Sequence, residues 1–243
     1  MNVHAKFLMM CAVGNMSMPA SPVAAAADSV IATYTAQYQL KYKGRKAGSS
    51  EFVVNYDEPS GLYSFSSRSQ AKGLLRMVSP KPVLEHSEFK VIDGNILPVE
   101  FWYEDGSRKG EDNYHTSFDW DANVAVIEGK DGQRELDLEI GVLDRSTIQV
   151  ALMTDLAAGR VPGPYVLADE ESLRTYEYTA QDSAAISTPL GDYTALRFVQ
   201  QRQGSSRSTL LWVVPELHFL PVLIQQFRDN EVRSEFILQS VTF

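Results

Sequence analysis

The residues of this chain that are able to bind a metal ion lie too far apart to form a recognisable site. His86, His115 and His218 follow the N-terminal segment, and none has the His-x-x-x-His or Glu-x-x-His spacing of zinc ligands. Residues 119–123 (Asp-Trp-Asp-Ala-Asn) resemble the start of a calcium loop, but Val124 stands where that loop requires glycine. We therefore expect a hairpin turn at this stretch, no metal and no other cofactor.

Patterns typical of enzymes are equally weak. The stretch 204–208 (Gly-Ser-Ser-Arg-Ser) departs from the Gly-x-Ser-x-Gly pattern of serine hydrolases. Acidic residues such as Glu85, Glu100 and Glu111 are numerous, but acids scattered over alternating strands usually form the solvated face. A glycosidase needs two carboxyl groups facing each other across a cleft. The sequence favours a non-enzymatic protein, and a carboxylate-dependent hydrolase of envelope glycans or lipids is an alternative.

Large apolar side chains indicate a different chemistry, the binding of a hydrophobic ligand. Each tryptophan lies in a strand-like stretch, where an aromatic ring either fills the core or lines an apolar pocket. The irregular apolar stretch 74–78 forms either a lid over such a pocket or a loop folded against the sheet. The candidate ligand-binding residues are Leu74, Leu75, Met77, Trp102, Trp120, Leu152 and Trp212.

Apolar and polar residues alternate with a period of two along most of the chain. This pattern indicates strands with one buried face, and it recurs about every ten residues with Gly, Pro and Asp between the runs, which favours antiparallel hairpins. About fourteen strands are expected. Among them, 109–120 reads as one strand, whereas 172–180 and 184–188 read as two. Residues 44–48 read as a turn, and 72–82 as a loop or a single helical turn.

One segment has the pattern of a helix. Apolar residues recur at helical spacing from Ile148 to Leu156, Asp144 or Ser146 is placed to cap the N-terminus, and Gly159 is placed to end the helix. The sequence therefore predicts a mainly β protein: a single strongly curved antiparallel sheet, an open half barrel, with one helix packed in its concave face. A closed barrel or a sandwich is the alternative.

The N-terminal segment, residues 1–27, has the pattern of a cleaved signal peptide. Lys6 precedes the apolar run 7–13, and a run of alanines follows before the expected cleavage near Ala27. Cleavage would remove Cys11, the only cysteine of the chain, so we expect no disulfide. The sequence predicts a periplasmic protein whose residues 28–243 form a single β-rich domain.

The charge of the chain limits its partners. Its formal net charge is −9 at pH 7. An acidic chain has no electrostatic reason to bind nucleic acid or an anionic membrane surface. We expect no nucleic-acid partner, and a peripheral membrane contact remains open.

An ordered set of motifs connects the chain to a known family. They are 144–146 (Asp-Arg-Ser) at the start of the helix, 188–193 (Thr-Pro-Leu-Gly-Asp-Tyr), 211–215 (Leu-Trp-Val-Val-Pro) and 220–224 (Leu-Pro-Val-Leu-Ile). Over about residues 34–243, the chain resembles domain-of-unknown-function family 3108, whose members are exported bacterial proteins. The resemblance implies no reaction and no catalytic residues. It implies a layout similar to that of periplasmic lipoprotein carriers, which hold acyl chains in a helix-plugged half barrel.

These observations predict an exported, non-enzymatic binding protein of the bacterial cell envelope. We expect it to hold a lipid, an acyl chain or a lipidated protein in an apolar concavity. The alternative is an envelope assembly factor or scaffold with a filled core, which recruits a protein partner through an edge strand or an exposed patch. The volume and the lining of the concavity distinguish the two.

Overall fold

The computed structural model describes residues 31–77 and 79–243, so the predicted signal peptide and Val78 lie outside the described residues. Within them, fifteen strands form one sheet that holds a single α-helix, α1 (Thr147–Ala157). Short 3₁₀ turns cover Gly73–Met77 and Pro215–Leu217. The strands are β1 (Tyr34–Tyr42), β2 (Arg45–Asp57), β3 (Leu62–Ala71), β4 (Val83–Ile92), β5 (Asn95–Glu104), β6 (Tyr114–Asp119), β7 (Val124–Gly129), β8 (Gly132–Asp137), β9 (Val142–Leu143), β10 (Tyr165–Ala168), β11 (Leu173–Thr188), β12 (Gly191–Arg202), β13 (Arg207–Val214), β14 (Leu220–Arg228) and β15 (Glu231–Thr242).

The sheet is built from two runs of neighbouring strands that meet in its middle. β1 to β8 pair in chain order, β9 to β15 do the same, and β15 pairs with β1. Every pair is antiparallel except β9 with β10, which are parallel. β8 and β9 are the two edges, and the sheet curves without closing into a barrel. The expected fold class, a curved open sheet around one helix, is confirmed.

Two-residue turns join several of the hairpins. Lys43 and Gly44 both have positive φ, as do Asp93 and Gly94, which is the backbone of a type I′ turn. The right-handed twist of the flanking strands favours this turn type. The first turn is shorter than the 44–48 stretch that the sequence indicates. Gly48 therefore lies inside β2, where it pairs with Leu40 of β1 and Ala71 of β3.

Two other segments differ from the sequence expectation. The strand expected over 109–120 begins only at Tyr114, because the Asp105 carboxylate accepts hydrogen bonds from the backbone N–H groups of Ser107 and Asp112 and so stabilises a loop. The two strands expected at 172–180 and 184–188 are one strand, β11, which contains a bulge. A bulge interrupts the alternation of side chains without ending the strand.

The concave face of the sheet holds the core. In β1, Tyr34, Ala36 and Tyr38 are buried, and the residues between them are more exposed, as the period of two requires. These side chains belong to the same core cluster as Leu152 and Val150 of α1. The helix is buried on more than one side, because the sheet curves around it. This arrangement matches the wide apolar stripe in its sequence.

Asp144 anchors the start of the helix. Its carboxylate accepts hydrogen bonds from the backbone N–H groups of Ser146 and Thr147, at 2.7 and 2.8 Å, and from the hydroxyl of Ser87 on β4. The Ser146 hydroxyl is buried without a partner among the described residues, so Asp144 supplies the cap. The bond to Ser87 fixes the helix to the sheet.

The strand directions divide the connections of the sheet between two ends. One end, here called the open end, carries the connections 43–44, 72–82, 105–113, 130–131, 169–172, 203–206 and 229–230. The opposite end carries 58–61, 93–94, 120–123, 138–141, 158–164, 189–190 and 215–219. Helix α1 follows β9 and precedes β10, so its N-terminus faces the open end. Among the described residues, no helix combines the length and the apolar character needed to span a membrane.

Candidate functional site

A cavity of about 1130 Å³ lies between the concave face of the sheet and the N-terminal half of α1. Arg202, Arg207 and Arg228 line it, and all three lie at strand ends that border the connections 203–206 and 229–230. The cavity therefore opens at the open end of the sheet. Its volume is slightly above the usual range of small-molecule sites, so it can admit a ligand with a long chain.

Apolar side chains form the floor of the cavity, where the helix meets the sheet. They come from five strands and α1, and most of them also belong to the main core. These floor residues are Phe52, Ile148, Leu152, Leu167, Leu211, Ile224 and Phe236. Most of these side chains are buried and expose only a small apolar surface to the cavity, against which a hydrophobic ligand can pack.

The wall beside the helix is polar. Arg145 lies immediately before α1, and its guanidinium forms an ion pair of 3.1 Å with Glu85 of β4. It also lies over the ring of Tyr103, 4.8 Å from the centroid. Burial opposes the charge of Arg145, but Glu85, Tyr114 and Tyr103 together raise its pKa above the usual value. Arg145 is thus a fixed positive charge inside the cavity.

A second group of paired charges lines the cavity where β10 is connected to β11. Arg174 of β11 contacts Asp169 at 3.3 Å and Glu171 at 2.6 Å. Asp169 lines the cavity, as Glu85 does. Both carboxylates are thus paired with arginines that also line the cavity.

The mouth of the cavity carries a different set of charges. Arg207 of β13 and Arg228 of β14 lie directly opposite each other in the antiparallel ladder. Arg202, at the end of β12, flanks the other side of the 203–206 turn. The floor is therefore apolar, the wall contains paired charges and the mouth is rich in arginine. The apolar concavity expected from the sequence corresponds to the floor of this cavity, whereas the wall and the mouth are polar.

Four of the seven sequence-predicted binding residues belong to the helix and to the connection between β3 and β4. Leu152 lies on the cavity floor and is fully buried. Leu74 and Met77 lie in the 3₁₀ turn at the open end, with 84% and 75% of their surface exposed, and Leu75 is half-buried. These three residues do not contribute to the cavity lining, although the connection they occupy joins two strands that do.

The three tryptophans lie away from the cavity. Trp102 is on the outer face of β5, between the rings of His86 and His115, at centroid distances of 5.3 and 5.1 Å. Trp120 donates a hydrogen bond to the backbone oxygen of Pro98 and packs against the second core cluster, which surrounds Phe101 and Phe118. Trp212 is on the outer face of β13, under the guanidinium of Arg197. Side chains alternate between the two faces of a strand, and those of Trp102 and Trp212 lie on the outer face of the sheet. Leu152 lies on the concave side, in α1.

Ionisable ligands for a metal do not converge in the structure. Within residues 31–77 and 79–243, no three His, Cys, Asp or Glu side chains form a cluster able to hold a metal ion. On the outer face, His115 lies 2.6 Å from the carboxylate of Glu100 and 3.9 Å from that of Glu128.

Comparison with known families identifies the chain. The family described as "Protein of unknown function (DUF3108)" matches residues 37–236. The chain belongs to DUF3108. The resemblance seen in its sequence motifs is thereby confirmed. Membership in DUF3108 assigns no activity, because the family is itself defined as one of unknown function.

One solved structure supports the fold of this DUF3108 chain, and two others resemble it more weakly. A β-barrel-like protein of the family DUF1849 from Brucella abortus shares 9% identity with a TM-score of 0.51, over 87% of this chain and 97% of that one. A candidate exported protein with a YmcC-like fold from Bacteroides fragilis (11% identity, TM-score 0.38) and a candidate lipoprotein from Parabacteroides distasonis (9%, 0.37) each match 86% of this chain and 95% of their own. Among curated proteins, none matches the chain.

The arginines of the mouth were not predicted from the sequence. Arg202, Arg207 and Arg228 lie next to polar turns, where isolated basic residues are common and carry no signal. The one feature of the sequence that these arginines share is a position at a strand end. That feature indicates a common site only once the strand order is known, because the order brings β12, β13 and β14 side by side.

Proposed function

We propose that this protein is an exported, non-enzymatic binding protein of the cell envelope that holds an acyl-bearing ligand in its cavity. The observation that carries the proposal is the cavity of about 1130 Å³, with an apolar floor and a polar mouth at one end of the sheet. Ligand sites are typically concave and lined by apolar side chains, with a few polar groups that fix orientation. A free lipid and the acyl group of a lipidated protein both have this chemistry.

The contrast between floor and mouth supports an amphipathic ligand. Floor residues such as Leu211 and Ile224 are buried but line the cavity, so an acyl chain would displace water from apolar surface there. The polar mouth remains in contact with solvent, where a headgroup or an attached polypeptide can extend outward. Export to the periplasm is part of the proposal, and the N-terminal pattern of residues 1–27 supports it.

A single substitution can fill the cavity without altering its charges. Thr209 lines the cavity from β13, between Arg207 and Leu211 on the inward face. We expect the Thr209→Trp variant to bind a fluorescent monoacylglycerol roughly tenfold more weakly than the unmodified protein, because the indole occupies the path of the acyl chain. The probe is neutral, so the result does not depend on the arginines. Affinity is measured by fluorescence titration below the critical micelle concentration.

The matched control is Leu210→Trp, on the other face of the same strand and outside the cavity lining. It is expected to bind the probe as the unmodified protein does. Failure of the unmodified protein to bind the probe, together with native mass spectra of envelope-extracted protein that contain no acyl compound, would refute the proposal. Reproducible crosslinking to one protein, independent of lipid, would then favour the scaffold alternative.

A further inference from the structure

We propose that the ligand is an amphiphile with an anionic headgroup, a phosphate or a carboxylate, which Arg202, Arg207 and Arg228 bind at the mouth of the cavity. The inference rests on the proposed function, since it names the chemical class of ligand for the same cavity. All three arginines line that cavity and lie at strand ends of the open end. Arginine is always charged and its planar guanidinium matches carboxylate and phosphate oxygens.

The first support is that like charges are placed opposite each other. Arg207 and Arg228 are cross-strand partners, a position in which side chains begin about 5 Å apart and like charges destabilise the sheet. Arg202 adds a third positive charge across the 203–206 turn from Arg207. Glu231 lies opposite Arg228 on the other neighbouring strand, but its carboxylate pairs with Arg233 at 3.1 Å. The contact between Arg207 and Arg228 remains a like-charge pair, which an anion between the guanidinium groups would stabilise.

The second support is the scarcity of counter-charges at the mouth. The Asp229 carboxylate lies 3.8 Å from Nε of Arg228, and both side chains are more than half exposed. In the part of the chain that the structure describes, no carboxylate lies within ion-pair distance of Arg202 or Arg207. Two other arginines that line the cavity are different, because Arg145 and Arg174 each have acidic partners at 3.1 Å or less. Among the described residues, the arginines of the cavity lining that have no ion-pair partner are therefore Arg202 and Arg207, both at the mouth.

The third support is the distance from the arginines to the floor. Arg207 and Leu211 lie four residues apart on the same face of β13, and Arg228 and Ile224 lie four residues apart on β14. Four strand residues span about 13 Å. A headgroup held by the arginines would thus place its acyl chain along Thr209 and against the apolar floor.

Three probes separate the headgroup from the acyl chain in isothermal titration calorimetry of the full mature chain. Dodecyl phosphate carries both, monolaurin carries a neutral head on a chain of the same length, and inorganic phosphate carries the anion alone. We expect dodecyl phosphate to bind roughly tenfold or more tightly than monolaurin, because charge-assisted hydrogen bonds add to burial of the chain. Inorganic phosphate is expected to bind more weakly than either.

The test variant is the double substitution Arg207→Gln with Arg228→Gln. It should weaken dodecyl phosphate binding roughly tenfold or more and leave monolaurin binding unchanged. Its thermal stability should be equal to or above that of the unmodified protein, because a like-charge pair has been removed. Arg197→Gln is the control, since the Arg197 guanidinium lies on the outer face, 4.9 Å from the centre of the Trp212 ring.

Each outcome decides a different question. Equal affinity for dodecyl phosphate and monolaurin, or an equal loss of both in the double variant, would overturn the anionic-headgroup assignment and leave the proposed function standing. Equal affinity for inorganic phosphate and dodecyl phosphate would also overturn it, because the arginines would then serve a free anion. If neither amphiphile bound to the unmodified protein, the proposed function itself would fail.

Discussion

Asp144 shows how a residue at a helix start also controls the dependence of stability on pH. It is fully buried, and burial raises the pKa of its carboxyl to about 6, although hydrogen bonds from Ser87, Thr147 and Ser146 act in the opposite direction. The sequence placed Asp144 at the helix start because of its type and position. It could not show the burial or the bond to Ser87, which lies 57 residues away in the chain.

The raised pKa determines the sign of the pH effect. Between the usual value of 3.8 and about 6, the folded protein holds the proton that the unfolded chain has released. The contribution of Asp144 to stability is therefore complete below that window and falls as pH rises through it. The total change is roughly 3 kcal/mol, at about 1.4 kcal/mol for each pH unit of the shift.

Replacing Asp144 with asparagine tests this effect. Asparagine keeps an oxygen that accepts from the N–H groups of Ser146 and Thr147 but does not ionise. We expect the stability of the unmodified protein, relative to Asp144→Asn, to fall by roughly 3 kcal/mol between pH 4 and pH 7. Urea unfolding of both proteins at several pH values measures the difference. If the stability of the unmodified protein relative to Asp144→Asn stayed constant or increased as the pH rises, the result would contradict the effect.

At the scale of the elements, Gly48 determines how closely β2 and β3 pair. A Cβ atom at this position would lie 2.1 Å from the backbone oxygen of Gln70, which no side-chain rotation can relieve. Gly48 also borders a register shift, since Leu40 pairs with Gly48 while Lys41 pairs with Lys46. Ala47 is the extra residue of a bulge and is buried.

Gly48→Ala is therefore expected to force β2 and β3 apart and to lower the free energy of unfolding by roughly 1–3 kcal/mol. Ser49→Ala, on the adjacent position of the same strand, is the control and should change stability by less than about 0.5 kcal/mol. Denaturant unfolding compares the two variants. The role assigned to Gly48 is wrong if both unfold at the same midpoint.

The strands show what periodicity can and cannot predict. The alternation over 62–71 predicts β3 to the residue, whereas the alternation over 31–43 begins three residues before β1 does. β11 was divided in two, because the bulge between Gln181 and Ala184 breaks the period while the ladder with β12 continues. β9 is two residues long and exists only because β10 lies beside it, so no local pattern could reveal it.

At the scale of the whole molecule, a patch of basic residues lies on one part of the open end. The segments 41–46 and 72–82 contain no acid and seven basic residues, which are Lys41, Lys43, Arg45, Lys46, Lys72, Arg76 and Lys81. Two other connections of the open end, 105–113 and 169–172, together contain six acids and two basic residues. The positive charge is therefore local to the β1–β2 hairpin and the β3–β4 connection, although the chain is acidic overall.

The position of the basic residues in the fold explains why the binding site was only partly predicted. Composition gives the net charge of −9, and a single average cannot show where basic residues cluster. The helical periodicity of the sequence identifies the floor residue Leu152. It does not identify the arginine mouth, because Arg207 and Arg228 become neighbours, with Arg202 across the 203–206 turn, only after β12, β13 and β14 have paired.

The basic open end leads to a prediction about membranes. Four cations in the hairpin 41–46 lie beside the exposed apolar side chains of Leu74 and Met77, a combination that favours an anionic bilayer surface. We expect the protein to sediment with vesicles of equal parts phosphatidylcholine and phosphatidylglycerol at low salt, and not with phosphatidylcholine alone. The double variant Arg45→Gln with Lys46→Gln should bind roughly 30-fold more weakly, at about 1 kcal/mol for each charge.

The control for this prediction removes the same number of charges at the other end of the molecule. Lys90 is near the end of β4, and Arg160 follows α1, so both lie toward the opposite end. Lys90→Gln with Arg160→Gln gives the same net charge but leaves the basic hairpin intact, and should bind vesicles nearly as well as the unmodified protein. Only a contact made through the open end would distinguish the two ends of the molecule. An equal loss of vesicle binding in the two double variants would therefore show that net charge, and not the position of the basic hairpin, governs binding.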